Sequence, residues 1–253
     1  MNEIKLKTEE FYENKYQLEN EPWEYSKKAV ELLRHEFIVN LVGSFNKNYL
    51  RILDTGCGKG QLTFQLDGKS KQIFGIDVSE TALSKARLKL QFNDTNFKSE
   101  YLFTKDSITS TSFPDNYFDL ILLSDGINEW FDDEKKKNDV LKETFRILNT
   151  GGFAIISDYQ KAKNFDNYIK TVSSSPLRII KTIYFYDRLC YQFYSWFKAV
   201  EKNFIIQGLF RSRILAKTLI KISSLFGRKG AKHLFVVAIK SLLVLANICF
   251  DAI

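Results

Sequence analysis

Cysteine, histidine and proline are scarce in this chain: 253 residues hold three cysteines, two histidines and three prolines. Cys57, Cys190 and Cys249 lie far apart and form no C-x-x-C pair, which speaks against a zinc site and against a disulfide framework. A reducing, cytoplasmic compartment and no bound metal are expected. The N-terminal "MNEIKLKTEEFYENKY" is charged and has no apolar core, so no signal peptide is expected. The tail "SLLVLANICFDAI" is apolar but falls short of the ~20 residues a spanning helix requires. Acidic residues are missing from one long interval. Between Glu201 and Asp251 there is none, while nine Lys and Arg fall there, so the net charge of +7 belongs to the C-terminal fifth.

What is present is an ordinary globular composition, 45% hydrophobic and 26% charged, enough for a sizeable core. Residues 3–19 and 24–42 read as helices broken at Glu21-Pro22. In the second, Ala29, Leu32, Leu33, Phe37 and Leu41 recur at helical spacing. Alternation follows. Strands are predicted over 50–55, 71–77, 99–106, 117–125 and 152–159. Helices are predicted after the glycines of "GKGQLTFQL", over 79–92 with Ser79 as N-cap, and over 132–148 ending at "NTGG". Such alternation indicates a parallel sheet covered on both faces, with ligands at the carboxyl ends of its strands. The aromatic stretch 160–200 reads as mostly helix, 203–210 and 232–240 as two more strands. The basic segment between them carries Leu215, Leu219, Ile222 and Phe226 on one helical stripe.

"RILDTGCGKGQLTFQL" (51–66) places three of the chain's 12 glycines within five positions, directly after a strand. Glycine tolerates a left-handed turn, lets a ligand lie against the backbone, and here opens a predicted helix whose free N–H groups would face that ligand. The dinucleotide fingerprint G-x-G-x-x-G fits neither register, because Gln61 and Thr63 stand where its third glycine would be.

"ILDTGCGKG" resembles motif I of the class I S-adenosylmethionine-dependent methyltransferases, of the type 11-like kind. "IFGIDVSETALSKA", "KDSI…FPDNYFDLILLSDGINEW" and "VLKETFRILNTGGFAIIS" are similar to the later motifs, in order, over about residues 50–157. The resemblance implies an α/β, Rossmann-like, seven-stranded, mostly parallel sheet with helices on both faces, an antiparallel last strand and a helical insert before strand six. It implies S-adenosylmethionine as cofactor, with S-adenosylhomocysteine as product. Asp54, Gly56, Gly58 and Gly60 match positions that hold the methionine part. Asp77 matches the acceptor of the ribose hydroxyls, Val78 the adenine neighbour, and Asp106 with Ser107 the reader of the adenine amino group. Ser124 ends strand four beside the methyl group, and Asp125 and Glu129 are candidate bases. "NEPWEYSKKAVELLRHEFI" (20–38) is similar to the entry segment of nodulation-type sugar N-methyltransferases, which would place Trp23 and Tyr25 over the cofactor or substrate. Asp119 and Asp158 read as turn or surface residues, and His35 and His233 as structural ones.

The expected layout is an N-terminal pair of helices (1–45) covering the cofactor site, then the methyltransferase domain (46–253). Within that domain, 160–200 is a helical substrate cover and 211–232 a basic amphipathic segment. The expected reaction is methyl transfer to an oxygen or nitrogen of a small molecule: a sugar, a lipid-linked or an aromatic metabolite. Two other classes stay open at this point: a nicotinamide-dependent oxidoreductase, and a non-catalytic module acting through its basic region. Nucleic acid is a weak expectation, because no reading motif accompanies the charge. Segment 211–232 has three readings: a solvated face, a contact with an anionic membrane surface, or a site for a phosphorylated substrate. A homodimer through the aromatic segment is left open.

Overall fold

The structure is a computed structural model, and it describes residues 9–92, 97–127 and 133–241. Helices α1 (Glu9–Leu18) and α2 (Ala29–Ser44) lead into strand β1 (Tyr49–Thr55). There follow β2 (Ser70–Asp77), α3 (Glu80–Phe92), β3 (Glu100–Lys105), β4 (Phe118–Ser124), α4 (Glu134–Ile147) and β5 (Leu148–Tyr159). The C-terminal part adds α5 (Phe165–Ser173), β6 (Arg178–Phe185), α6 (Arg188–Phe197), α7 (Phe204–Arg211), α8 (Arg213–Ser224) and β7 (His233–Ile239).

The seven strands form one sheet in the order β3-β2-β1-β4-β5-β7-β6. The first five are parallel, and β7 runs antiparallel to both β5 and β6. The apolar strands split their side chains by the period of two. Leu53, Ile121, Leu123, Ile156 and Val236 point to one face, under α4 and α5. Ile52, Leu120, Leu122, Ile155 and Val237 point to the other, under α2, α6 and α8. Each such fully buried side chain stabilises by roughly 1.5–3 kcal/mol.

Four expectations change here. The sheet has seven strands, but the sixth is Arg178–Phe185, inside the stretch read as helix. An edge strand with one solvated face carries polar residues such as Lys181 and Thr182, which mask its period. Residues 203–210, read as a strand, are helix α7. The Asn203 side chain accepts from the Ile205 N–H and caps it, and a short apolar run does not by itself choose between helix and strand. The helical insert therefore lies between strands six and seven, not before strand six. After the glycines there is only a 3-10 turn, Thr63–Leu66. Left-handed backbone at Gly60 (φ 78°) and Gly68 (φ 71°) brackets a segment too short for more. No α-helix N-terminus faces a ligand there.

Candidate active site

The sheet order reverses between β1 and β4, and the carboxyl ends of β1, β2 and β4 open into a cavity of about 610 Å³. Its walls hold Gly56, Gly58, Asp77, Val78, Asp106, Ser107, Ser124, Asp125 and Trp23 of the sequence-predicted set. Asp77 ends β2 and is 8% exposed. Its carboxylate accepts the N–H of Gly58 at 2.8 Å and that of Ser79 at 2.9 Å, which ties the glycine loop to the start of α3. Burial raises its pKa, and those backbone donors pull against the rise. Ser79 caps α3 as expected, accepting from the Ala82 N–H at 3.1 Å.

Gly58 is left-handed (φ 54°), and a Cβ there would overlap the Tyr16 hydroxyl. Helix α1 therefore seats directly on the loop. Glu13 clasps it to α3, accepting from Ser79 Oγ at 2.7 Å, from the Thr81 N–H at 3.3 Å and from the Thr81 hydroxyl. Lys85 donates to the Tyr16 carbonyl at 2.6 Å. Trp23 packs against Tyr16 and Tyr12, with ring centroids 5.4 and 6.1 Å apart. These three rings and the strand ends enclose the cavity.

Two residues expected to touch the cofactor do not line the cavity. Asp54 is 2% exposed, accepts the Thr63 hydroxyl at 2.6 Å, and is not among the cavity-lining residues. Burial pushes its pKa up to about 7, tempered by that hydrogen bond. Gly60 also lies off the cavity, where a Cβ would strike the Phe64 ring. Both shape the loop from behind. Asp106 reaches the cavity with its carboxylate in a local turn, accepting from the Ser107 N–H at 2.8 Å and from the Ser112 N–H at 3.0 Å. Glu129 lies outside the described residues.

Residues 46–198 match the family model of a methyltransferase domain. The chain belongs to this family of class I S-adenosylmethionine-dependent methyltransferases. It is 30% identical over 127 residues to "Ubiquinone/menaquinone biosynthesis C-methyltransferase UbiE" of Yersinia pestis, covering 47% of this chain and 48% of that relative. The chain thus spans about half the length of the curated relatives it matches. Among solved structures, the N-methyltransferase NodS of Bradyrhizobium japonicum WM9, bound to S-adenosylhomocysteine, superposes with a TM-score of 0.57 at 19% identity, covering 70% of this chain and 90% of that one. The [4+2]-cyclase SpnF superposes with a TM-score of 0.60 at 17% identity, covering 81% and 80%. At such identities the likeness shows the fold alone, and the reaction must be argued from the site.

The methyltransferase cavity fits its cofactor in two respects. A backbone stripped of Cβ atoms lines it at Gly56 and Gly58, and a carboxylate already oriented by two N–H donors stands at its rim. Among the described residues no group of three or more His, Cys, Asp or Glu is placed to hold a metal ion.

Beyond Ser124 the methyltransferase site carries a buried ionic chain that the sequence did not reveal. Arg34, 1% exposed, donates to Glu31 at 2.9 Å and to Ser124 at 3.0 Å, and pairs with Asp125 at 2.7 Å. Asp125 also meets His233 Nε2 at 3.2 Å, while His233 Nδ1 bonds to the fully buried Asp187. Tyr191 donates to Glu31 at 2.5 Å. Burial pushes the Asp125 carboxyl up, but the Arg34 guanidinium and His233 outweigh it and hold it well below the usual carboxylate range. Burial pulls His233 down, yet Asp187 and Asp125 on either side raise it to about 9.

The expected apolar stripe of α2 is widened: Ala29 and Leu41 are buried, and Leu33 and Phe37 pack against the core. Its buried face holds Glu31, Arg34 and His35 beside Val30 and Ile38, because the charged pair faces the cavity. A Glu and an Arg three apart inside an apolar helix were the available signal. His35 is structural, as read. It packs on Tyr25 and burial holds it neutral, lowering its pKa to about 3. Asp158 is no surface residue: it is fully buried and accepts from the Ile127 N–H and the Tyr168 hydroxyl. Asp119 accepts from the Leu50 and Arg51 N–H groups and from Asn149, and so locks β1 and β5 to β4.

Proposed function

We propose that this chain transfers a methyl group from S-adenosylmethionine to a small polar acceptor, at a nitrogen or an oxygen, with nitrogen favoured. The observation that carries this reading is the chamber beyond Ser124. Its walls include Tyr25, Tyr159 and Tyr191, and Glu31, Arg34, Asp125 and His233 also border it. A compact acceptor with a ring finds aromatic faces there, beside a polar wall whose charges are paired among themselves.

When bound, the cofactor supplies an electrophilic methyl carbon, so the chain's task is positioning more than activation. Asp77, Val78 and Ser107 would hold the nucleoside, and the Gly56–Gly58 backbone the amino-acid end. Ser124 and the Arg34–Asp125 pair border the transfer point. Asp125 is pinned between two cations and His233 is already protonated at neutral pH, so neither is suited to take a proton. A neutral amine needs no such base before it attacks, which is why nitrogen is favoured over a hydroxyl.

The test has two stages. Calorimetric titration with S-adenosylmethionine, S-adenosylhomocysteine and NAD should give binding for the two sulfur compounds and none for NAD. Incubation with matched panels of small amines and alcohols should then yield singly methylated amines by mass spectrometry. Methylation of alcohols alone would overturn the nitrogen preference. Cofactor binding without turnover on any panel would leave a binding module in place of an enzyme.

A further inference from the structure

Helices α7 and α8 carry apolar side chains on both faces: Phe210, Ala216, Leu219 and Ile220 pack inward, and others stand in water. A surface helix turns its polar face to water. In α7 the outward positions are Phe204, Ile205 and Leu209, which are 81%, 57% and 38% exposed. Its inward positions include Phe210, which packs against Tyr194 and Phe193. Ser212 ends α7 and caps α8, accepting from the Leu215 N–H at 3.2 Å. On α8 the outward row mixes Ile214 and Ile222 with Arg213, Lys217 and Lys221, and the turn beyond exposes Leu225 and Phe226. Trp196 and Val200 stand exposed just before α7. Of the 15 large hydrophobics exposed among the described residues, nine fall between positions 196 and 226.

We propose that this face docks on an anionic lipid bilayer, with the apolar side chains entering the headgroup boundary and the lysines meeting lipid charge. Charge selects this occupant. From position 202 to 240 there are nine basic residues and no acidic one; Arg213 pairs with Glu36 and Arg228 with Asp166, while Lys202, Lys217 and Lys221 form no salt bridge with any described residue. A second copy of the chain is disfavoured, because a two-fold contact would set this positive face against itself. A nucleic acid would leave Phe204, Ile214 and Leu225 against phosphate with nothing apolar to cover them. An interfacial helix with apolar and Lys/Arg-rich surfaces is the pattern that anionic membranes hold. Among the described residues no helix is long and apolar enough to cross a membrane.

The position of the face suits the active site. Helix α7 packs on the 3-10 turn Tyr25–Lys27, and a smaller cavity between them is lined by Lys28, Lys202, Phe210 and Arg211 together with Glu24 and Glu201. Lys28 also lines the main cavity. Docking would bring the acceptor end of the site near the lipid surface. The chain leaves β7 at the opposite end of the sheet, where Lys240 reaches Asn116 and the Phe145 carbonyl.

The test is flotation of the full chain with phosphatidylcholine vesicles, with or without a third of phosphatidylglycerol. Binding is expected only with the anionic lipid and should weaken as salt rises. At roughly 1 kcal/mol per basic residue near the surface, Lys217→Gln with Lys221→Gln should lower the partition coefficient about thirtyfold. Phe204→Ser with Ile214→Ser should lower it while leaving S-adenosylhomocysteine binding and the melting temperature unchanged. No flotation at low salt would overturn the proposal, as would equal flotation of all variants. Loss of a dimer in the Phe204→Ser, Ile214→Ser variant, with no vesicle binding by the parent, would assign the face to contact between copies. None of these readouts depends on methyl transfer.

Discussion

Gly58 and Asp77 show how single residues hold the site. Alanine at position 58 would meet both a left-handed backbone, costing ~1–2 kcal/mol, and the Tyr16 hydroxyl. Gly58→Ala should therefore lower the melting temperature by several degrees and weaken S-adenosylhomocysteine binding, read by a thermal scan and a calorimetric titration. Asp77→Asn keeps one of the two acceptors that meet the Gly58 and Ser79 N–H groups and removes the charge offered to a ligand. A lost charge-assisted hydrogen bond is worth about 1.5–3 kcal/mol, so affinity should fall ten- to a hundredfold with the circular dichroism unchanged. Unaltered affinity would mean that Asp77 only ties the loop. His233 makes a pH prediction. Its folded pKa of about 9 lies above the unfolded value near 6.5, so its contribution is fully present below that value and is lost as pH rises through about 9. Denaturant titrations should give an unfolding free energy that declines over this window, and His233→Gln should flatten the decline.

At the scale of elements, α1 is clasped in place. It is joined to α3 through Glu13 and Lys85, and it rests on the glycine loop through Tyr16. Glu13→Ala should speed cofactor dissociation several-fold with little change in global stability, followed by stopped-flow quenching of Trp23. An unchanged off-rate would show that α1 does not gate the site. Elements with strong periods or caps were legible in the sequence. The run "DLILLS" marked β4, Ser79 announced α3, and the helix read over 132–148, stopped by "NTGG", is α4. Elements were misread where the local signal was two-sided. "NFIIQGLF" has strand composition but an asparagine cap, and β6 hides its period because one face of an edge strand is wet. The helix expected after the glycines failed because three left-handed residues, at 56, 58 and 60, consume the turn.

At the scale of the whole molecule, the cofactor should act as a staple between the loop, the strand ends and α1. A ligand at a hundred times its dissociation constant stabilises by about 2.7 kcal/mol, which for a chain of this size is a rise of roughly 5–10 °C in melting temperature. S-adenosylhomocysteine should produce that shift and NAD none. An absent shift with S-adenosylhomocysteine would contradict the fit of the cavity. The sequence by itself determined the parallel sheet, because apolar strands alternating with helices have few other ways to bury their faces. It also determined the glycine loop and the carboxylate at the end of β2, since both are local to a strand end and its turn. Only the tertiary structure decided which polar residues meet. Glu31 and Arg34 from α2, Asp125 after β4, Asp187 and Tyr191 from around α6, and His233 of β7 are separated by up to two hundred residues. Beyond the Glu31–Arg34 spacing no local pattern marks them, because what joins them is burial of charge across elements brought to one end of a sheet. The same holds for Asp54, whose motif position suggested a ligand contact and whose folded position turns it to Thr63.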